Sequence, residues 1–204
     1  MTLRKQDSHA ENAVAQFLDQ FFYQKYVRNQ IRYSDLETQL KGVDVTFDFE
    51  EQIQLLVDEK AAAHFVNKNI PTFAFELDFI GIDGKLKEGW LFDEKKETQF
   101  YLLSWIQATK AKNFSCDDIS QLEVLLIERL KIIGLLKKFG IDRNRVKEIS
   151  KGLRTKNQFG PSFKNSSTPF YFYFTEHLTE RPINIVIRKS ALIRLGTLHK
   201  FITR

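Results

Sequence analysis

Two apolar runs separated by three polar residues constrain this chain more than anything else in it. In Val43–Phe49, the residues Val43, Val45, Phe47 and Phe49 alternate with Asp44, Thr46 and Asp48. Ile53–Lys60 follows directly after Glu50-Glu51-Gln52. Alternation of this kind places successive side chains on opposite faces of a β-strand. Strands this close in sequence pair as an antiparallel hairpin, because a parallel pair needs a crossover of about a dozen residues or more. The start of the first strand then lies beside the end of the second. Asp44 is thereby carried next to Asp58-Glu59-Lys60. Within the second strand Asp58 and Lys60 share a face, and Glu59 points to the other.

The remaining pattern supplies the frame around this hairpin. Ala13, Val14, Phe17, Leu18, Phe21 and Phe22 predict a helix from Ser8 to about Val27, with Ser8 as N-cap and Glu11 at capping-box spacing. A short strand starts at Gln30–Tyr33. Ala61–Val66 reads as a helical turn or loop that Pro71 ends. Phe73–Ile80 alternates again, and Trp90–Phe92 and Phe100–Ile106 read as strands. Ser115-Cys116-Asp117-Asp118 resembles a cap, and a helix is predicted from about Ile119 to Phe139, closed by Gly140. Asp142 caps a second helix to about Leu153. Arg154–Ser167, with Gly160-Pro161, reads as a loop. Phe170–Phe174 and Ile183–Arg188 read as strands, and Ala191–Leu195 as a short helix. The order predicts an α/β or α+β fold with a mixed sheet. It is expected to form a single domain over residues 1–204, with a core at about 8–110 and a basic helical and αβ part at about 115–204.

Composition narrows the classes of function. No apolar run approaches the roughly 20 residues of a membrane span, and the N-terminus lacks an apolar signal core. A single cysteine, Cys116, excludes an internal disulfide framework and thiolate zinc clusters. The expectation is a cytoplasmic protein. Neither GxxxxGK[ST] nor GxGxxG occurs, so no nucleotide-fuelled activity or dinucleotide cofactor is indicated. The net charge of +5 is unevenly spread. Residues 1–102 carry 12 Lys+Arg and 18 Asp+Glu, net −6, whereas residues 103–204 carry 19 and 8, net +11. A basic half suits a polyanionic partner. Lys137, Lys138, Arg143, Arg145, Lys147, Lys151, Arg154 and Lys156 cluster there, and Arg188-Lys189 follows an apolar strand. Of these, Lys137, Lys138, Arg143, Arg145, Lys147, Arg188 and Lys189 are candidate nucleic-acid contacts.

Two neighbouring carboxylates repel, which raises the pKa of one of them. A hard divalent cation removes the conflict, and oxygen ligands suit Mg²⁺ or Mn²⁺. Asp44 and Asp58 are therefore candidate metal ligands, with a main-chain carbonyl near residue 59 as a further donor. Lys60 is placed to orient water or to stabilise negative charge developing on a phosphorus centre.

Val43-Asp44 … Asp58-Glu59-Lys60 resembles the signature of the PD-(D/E)XK phosphodiesterase superfamily. That signature is an acid on one strand, a short hairpin, then acid-x-Lys on the next. Val43 stands where the family proline precedes the first acid. The resemblance covers residues 8–110 and implies a restriction-endonuclease-like mixed sheet flanked by helices. It implies a core of helix, three strands, helix and strand, with Glu11 matching a further acid on the first helix. It also implies a Mg²⁺-dependent nuclease acting on DNA, with Asp44, Asp58, Lys60 and Glu11 as catalytic residues. Many such nucleases act as homodimers. The other class of function is a catalytically inactive member of the fold that binds nucleic acid or a protein. Short acidic-basic patterns on strands also arise as plain solvated faces.

Overall fold

The computed structural model describes residues 3–165 and 167–204. The chain begins with α1 (Leu3–Leu18), a π-helical turn (Asp19–Tyr23) and α2 (Gln24–Tyr26), followed by β1 (Arg28–Arg32) and α3 (Leu36–Leu40). The hairpin β2 (Val45–Phe49) and β3 (Gln52–Ala61) comes next, then a 3₁₀ turn at Ala63–Phe65, β4 (Thr72–Ile80) and β5 (Leu86–Glu88). β6 (Phe100–Ala108) leads through a 3₁₀ turn (Cys116–Asp118) into β7 (Ile119–Glu128), α4 (Arg129–Lys137) and α5 (Arg143–Thr155). The chain ends with β8 (Gly160–Ser162), β9 (Phe170–Phe174), β10 (Ile183–Arg188), α6 (Lys189–Leu195) and β11 (Leu198–Thr203). The protein is α+β with a mixed sheet and flanking helices. Among the described residues no helix is long and apolar enough to cross a membrane.

Two compact units form, and each draws on separated segments of the chain. The first comprises Met1–Ile70, Glu97–Glu128 and Gly196–Arg204, and the second comprises Pro71–Lys96 and Arg129–Leu195. The basic second half is thus divided between them, because β7 and β11 belong to the first sheet.

In the first unit the described strands run β1-β2-β3-β6-β7-β11. β3 and β6 are parallel, and the other neighbours are antiparallel. The expected hairpin forms, with Val45 opposite Val57 and Thr46 opposite Leu56. Its turn is Glu50-Glu51, with Glu50 at a φ of 53°. The ladder then shifts by one near Asp48, whose Oδ1 accepts from the Gln54 amide at 2.8 Å. Phe17, Leu18, Phe22, Val45, Phe47, Val57, Leu102, Val124 and Leu126 join one buried cluster between α1 and the sheet.

The second unit is an antiparallel sheet in the order β5-β4-β10-β9-β8. Phe73, Phe75, Phe170, Phe172, Phe174, Ile183, Ile185 and Ile187 are buried, as are Ile132 and Leu136 of α4, Val146 and Leu153 of α5, and Leu192 of α6. The α4 C-terminus follows the expected glycine logic. Gly140 has a φ of 73°, and the Ile141 amide donates to the Leu136 carbonyl at 3.1 Å. Asp142 caps α5, accepting from the Arg145 amide.

Three local expectations are corrected. The predicted helix over Ile119–Phe139 is instead strand β7 followed by the shorter α4. Leu122, Val124, Leu125, Leu126 and Ile127 are all buried, on both faces of β7. A continuous apolar run carries no period, so it reads equally as helix or interior strand. The Ser115–Asp118 cap is present, as a capping box, but it closes the 3₁₀ turn ahead of that strand. Trp90–Phe92 is a turn, since the Arg129 guanidinium donates to the carbonyls of Leu91 at 2.9 Å and Asp93 at 2.6 Å. Ser8 is inside α1, which begins at Leu3, so it is no N-cap.

Candidate functional site

The hairpin register brings Asp44 to the end of β3, one residue beyond the Val45–Val57 pair. The Asp44 amide donates to the Val57 carbonyl at 2.9 Å, and Asp44 Oδ2 accepts from the Glu59 amide at 2.8 Å. Asp58 faces the opposite way from Glu59 and is 2% exposed. Its Oδ1 meets Lys60 Nζ at 2.5 Å. Burial, opposed by Lys60 and reinforced by the adjacent Asp44, pushes the Asp58 carboxyl up to about 7. Burial works against the Lys60 ammonium, yet Asp58 and then Asp44 outweigh it and push it up to about 12. The Lys60 side chain keeps 31% of its surface open. Glu11, exposed on α1, adds a weaker field that also favours the charged lysine. Asp44, Asp58 and Lys60 thus converge, with Glu11 within electrostatic reach.

The donor set bears on a metal ion. Two carboxylates and one ammonium leave a net negative charge when both acids are ionised, and the ligand atoms are hard oxygens. Among the described residues no group of three or more His, Cys, Asp and Glu side chains converges on a metal position. A cation held here would have only the Asp44 and Asp58 carboxylates as side-chain donors and would have to keep much of its water, as Mg²⁺ does.

Glu59 anchors a second network on the reverse face of β3. Its oxygens accept from Arg32 Nη1 at 2.8 Å and Nη2 at 2.9 Å, and from the Tyr23 hydroxyl. Arg32 also binds Asp19 at 2.8 Å, and Gln30 reaches the same carboxylate at 2.7 Å. Burial opposes the Arg32 charge, but the hydrogen bonds to Glu59 and Asp19 raise it above its ordinary value. Burial and then the Glu59 carboxylate raise Tyr23 in turn. Asp19 and Tyr23 both lie on the π-helical turn, a feature common at functional sites. Strand alternation signals that Glu59 faces away from Asp58. Nothing in the sequence marks its partners, which lie 27 and 36 residues away.

The basic candidates all belong to the second unit, which carries 19 Lys+Arg against 10 Asp+Glu, net +9. The first carries 12 against 16, net −4. Lys137, Lys138, Arg145, Lys147 and Arg188 are exposed. Arg143 is engaged by Glu88 and Glu94, each at 2.5 Å. Arg145 pairs with Glu148 at 2.8 Å. Lys189 is only 9% exposed, which leaves little of it for a phosphate. Arg154 is committed to Asp78, so that acid belongs to an ion pair within the second unit. His64 is exposed on its 3₁₀ turn. No family model matches the sequence, no curated protein is found similar to it, and no solved structure matches the fold.

Proposed function

We propose that this protein is a metal-dependent nuclease of restriction-endonuclease-like fold that hydrolyses phosphodiester bonds in DNA. The convergence of Asp44, Asp58 and the Lys60 ammonium at one end of a hairpin carries this reading. The order of elements supports it. A helix, an antiparallel β1-β2-β3 meander and a further strand, β6, parallel to β3 follow one another, as that superfamily implies. A 3₁₀ turn and the β4–β5 excursion occupy the stretch where its second helix is expected.

Asp44 and Asp58 would hold the cation. When bound, the cation polarises a phosphoryl oxygen and lowers the pKa of a coordinated water. The Asp58 and Asp44 carboxylates favour the charged form of Lys60. It donates hydrogen bonds, to the attacking water or to an oxygen gaining charge. Glu11 reinforces that charged state from α1. Lys60→Ala is expected to abolish Mg²⁺-dependent cleavage of plasmid DNA while leaving DNA binding intact. Full cleavage by that variant would overturn the assignment.

One observation favours a second reading, a nuclease-like fold that binds nucleic acid or protein without catalysis. Asp58 is almost fully buried and already paired with Lys60. Calorimetric titration of wild type and Asp58→Asn with Mg²⁺ and Mn²⁺ separates the two. Saturable binding lost in the variant supports the nuclease, and no binding to either supports the module.

A further inference from the structure

The sheet of the second unit has one face built into its core and one face partly exposed. On β9 the core side is Phe170, Phe172 and Phe174, and the other side is Tyr171 and Tyr173. Register extends the open side across the neighbouring strands. Tyr171 lies beside Val186, which lies beside Ala74, and Tyr173 lies beside Asn184, which lies beside Glu76. Tyr173 is 38% exposed, Ala74 is exposed, and Val186 forms a buried floor between Tyr171 and Ala74. Two aromatic rings thus stand over a shallow surface of small side chains, with an amide at one end.

Cations border the rings. Lys164 Nζ sits 5.6 Å from the centre of the Tyr171 ring. Arg188 is exposed at the end of β10, on the same face as Val186. Glu76 is an acid on this face, two strands from Tyr173, in a unit of net charge +9. Burial and the neighbouring Tyr173 hold the Tyr171 hydroxyl above its ordinary value, so that ring stays neutral at physiological pH.

We propose that this face binds single-stranded nucleic acid, with Tyr171 and Tyr173 stacking on bases and Lys164 and Arg188 meeting the phosphates. The spacing argues for a single strand. Residues i and i+2 of a strand stand about 7 Å apart, roughly twice the 3.4 Å rise per nucleotide in a duplex. Successive bases can occupy both rings only when they are splayed out of a stack, which a paired duplex forbids. Rings carried on a sheet and flanked by cations are also tolerant of sequence, since every base presents a π-face. The proposal deepens the nuclease reading by naming the strand state of its substrate, and it rests on that reading only for its choice of ligand.

The test is fluorescence anisotropy of the full chain with a labelled mixed-sequence 12-nucleotide DNA, its RNA counterpart and the matching DNA duplex, all in EDTA. Tyr173→Leu keeps apolar bulk and removes the π-face. It is expected to weaken binding of at least one single strand by ~5- to 150-fold, with duplex affinity unchanged. Lys164→Gln is expected to weaken the same strand and to lower its salt slope by about 0.7, the value for one single-strand phosphate contact; it also serves if Tyr173→Leu fails to fold. Unchanged single-strand affinity in both variants overturns the proposal. So does a dimer of the wild-type chain that Tyr173→Leu dissociates, which would assign the face to a second copy. Cleavage assays with Mg²⁺ run alongside. Strand binding without cleavage sinks the nuclease reading alone, and cleavage with unaltered strand binding in the variants sinks the face alone.

Discussion

Asp58→Asn is expected to stabilise the metal-free protein, and increasingly so as pH rises. Asp58 is protonated in the folded chain until about pH 7, whereas its ordinary value is 3.8. Below 3.8 both states carry the proton and the group is neutral to stability. Above it the unfolded chain ionises first, so stability falls with rising pH until the folded pKa is passed. A shift of about three units corresponds to a ceiling on the order of 4 kcal/mol. The larger part of that loss falls between pH 5 and pH 7, on the order of 2–3 kcal/mol. Lys60 shifts upward too, but its contribution is lost only as pH rises through about 12, outside this range. The lowered Asp48 and Asp118 contribute stability that is lost only as pH falls toward and below 3.8. Asn removes the ionisation and keeps the size. Urea unfolding in EDTA at pH 5, 6, 7 and 8 reads the effect. The wild-type midpoint should fall across that series relative to the variant, with most of the gap in place by pH 8. Parallel profiles for the two proteins would refute the assignment of a buried, neutral Asp58.

Arg32→Met leaves Glu59 without its guanidinium. Since Arg32 is partly open to solvent, the loss should fall below the ~3–5 kcal/mol of a fully buried pair, measured by the shift in urea midpoint. Phe47→Ala removes a fully buried ring between α1 and the sheet and should cost about 3–5 kcal/mol by the same measurement. Lys147→Ala should weaken duplex DNA binding evenly across sequences and lower the salt slope by about 1. Arg143→Ala, whose charge is already held by Glu88 and Glu94, should leave that slope unchanged in the same filter-binding assay.

Much of the site was legible in the chain because strands encode it locally. Period two placed Asp58 and Lys60 together and turned Glu59 away, and a short connection implied an antiparallel hairpin. The structure has that hairpin and sets its register, with Val45 opposite Val57. β9 and β10 were legible for the same reason, as bounded alternating runs. β7 was not, because a strand buried on both faces has no polar side to mark its period. Nor was β11 expected, although Leu198–Thr203 closes the edge of the first sheet beside β7. Its pairing partner lies more than seventy residues earlier, beyond any local pattern.

By itself the sequence determined the hairpin, the order of its acids and lysine, and the excess of positive charge toward the C-terminus. Those depend on neighbours in the chain. Only the tertiary structure decided that Asp58 is buried and carries its proton to about pH 7. It alone paired Glu59 with Arg32 and Tyr23, tied Arg143 to Glu88, and left Tyr173 open to solvent. Ionisation and exposure are set by what surrounds a side chain in space, and those surroundings come from segments that no local pattern connects.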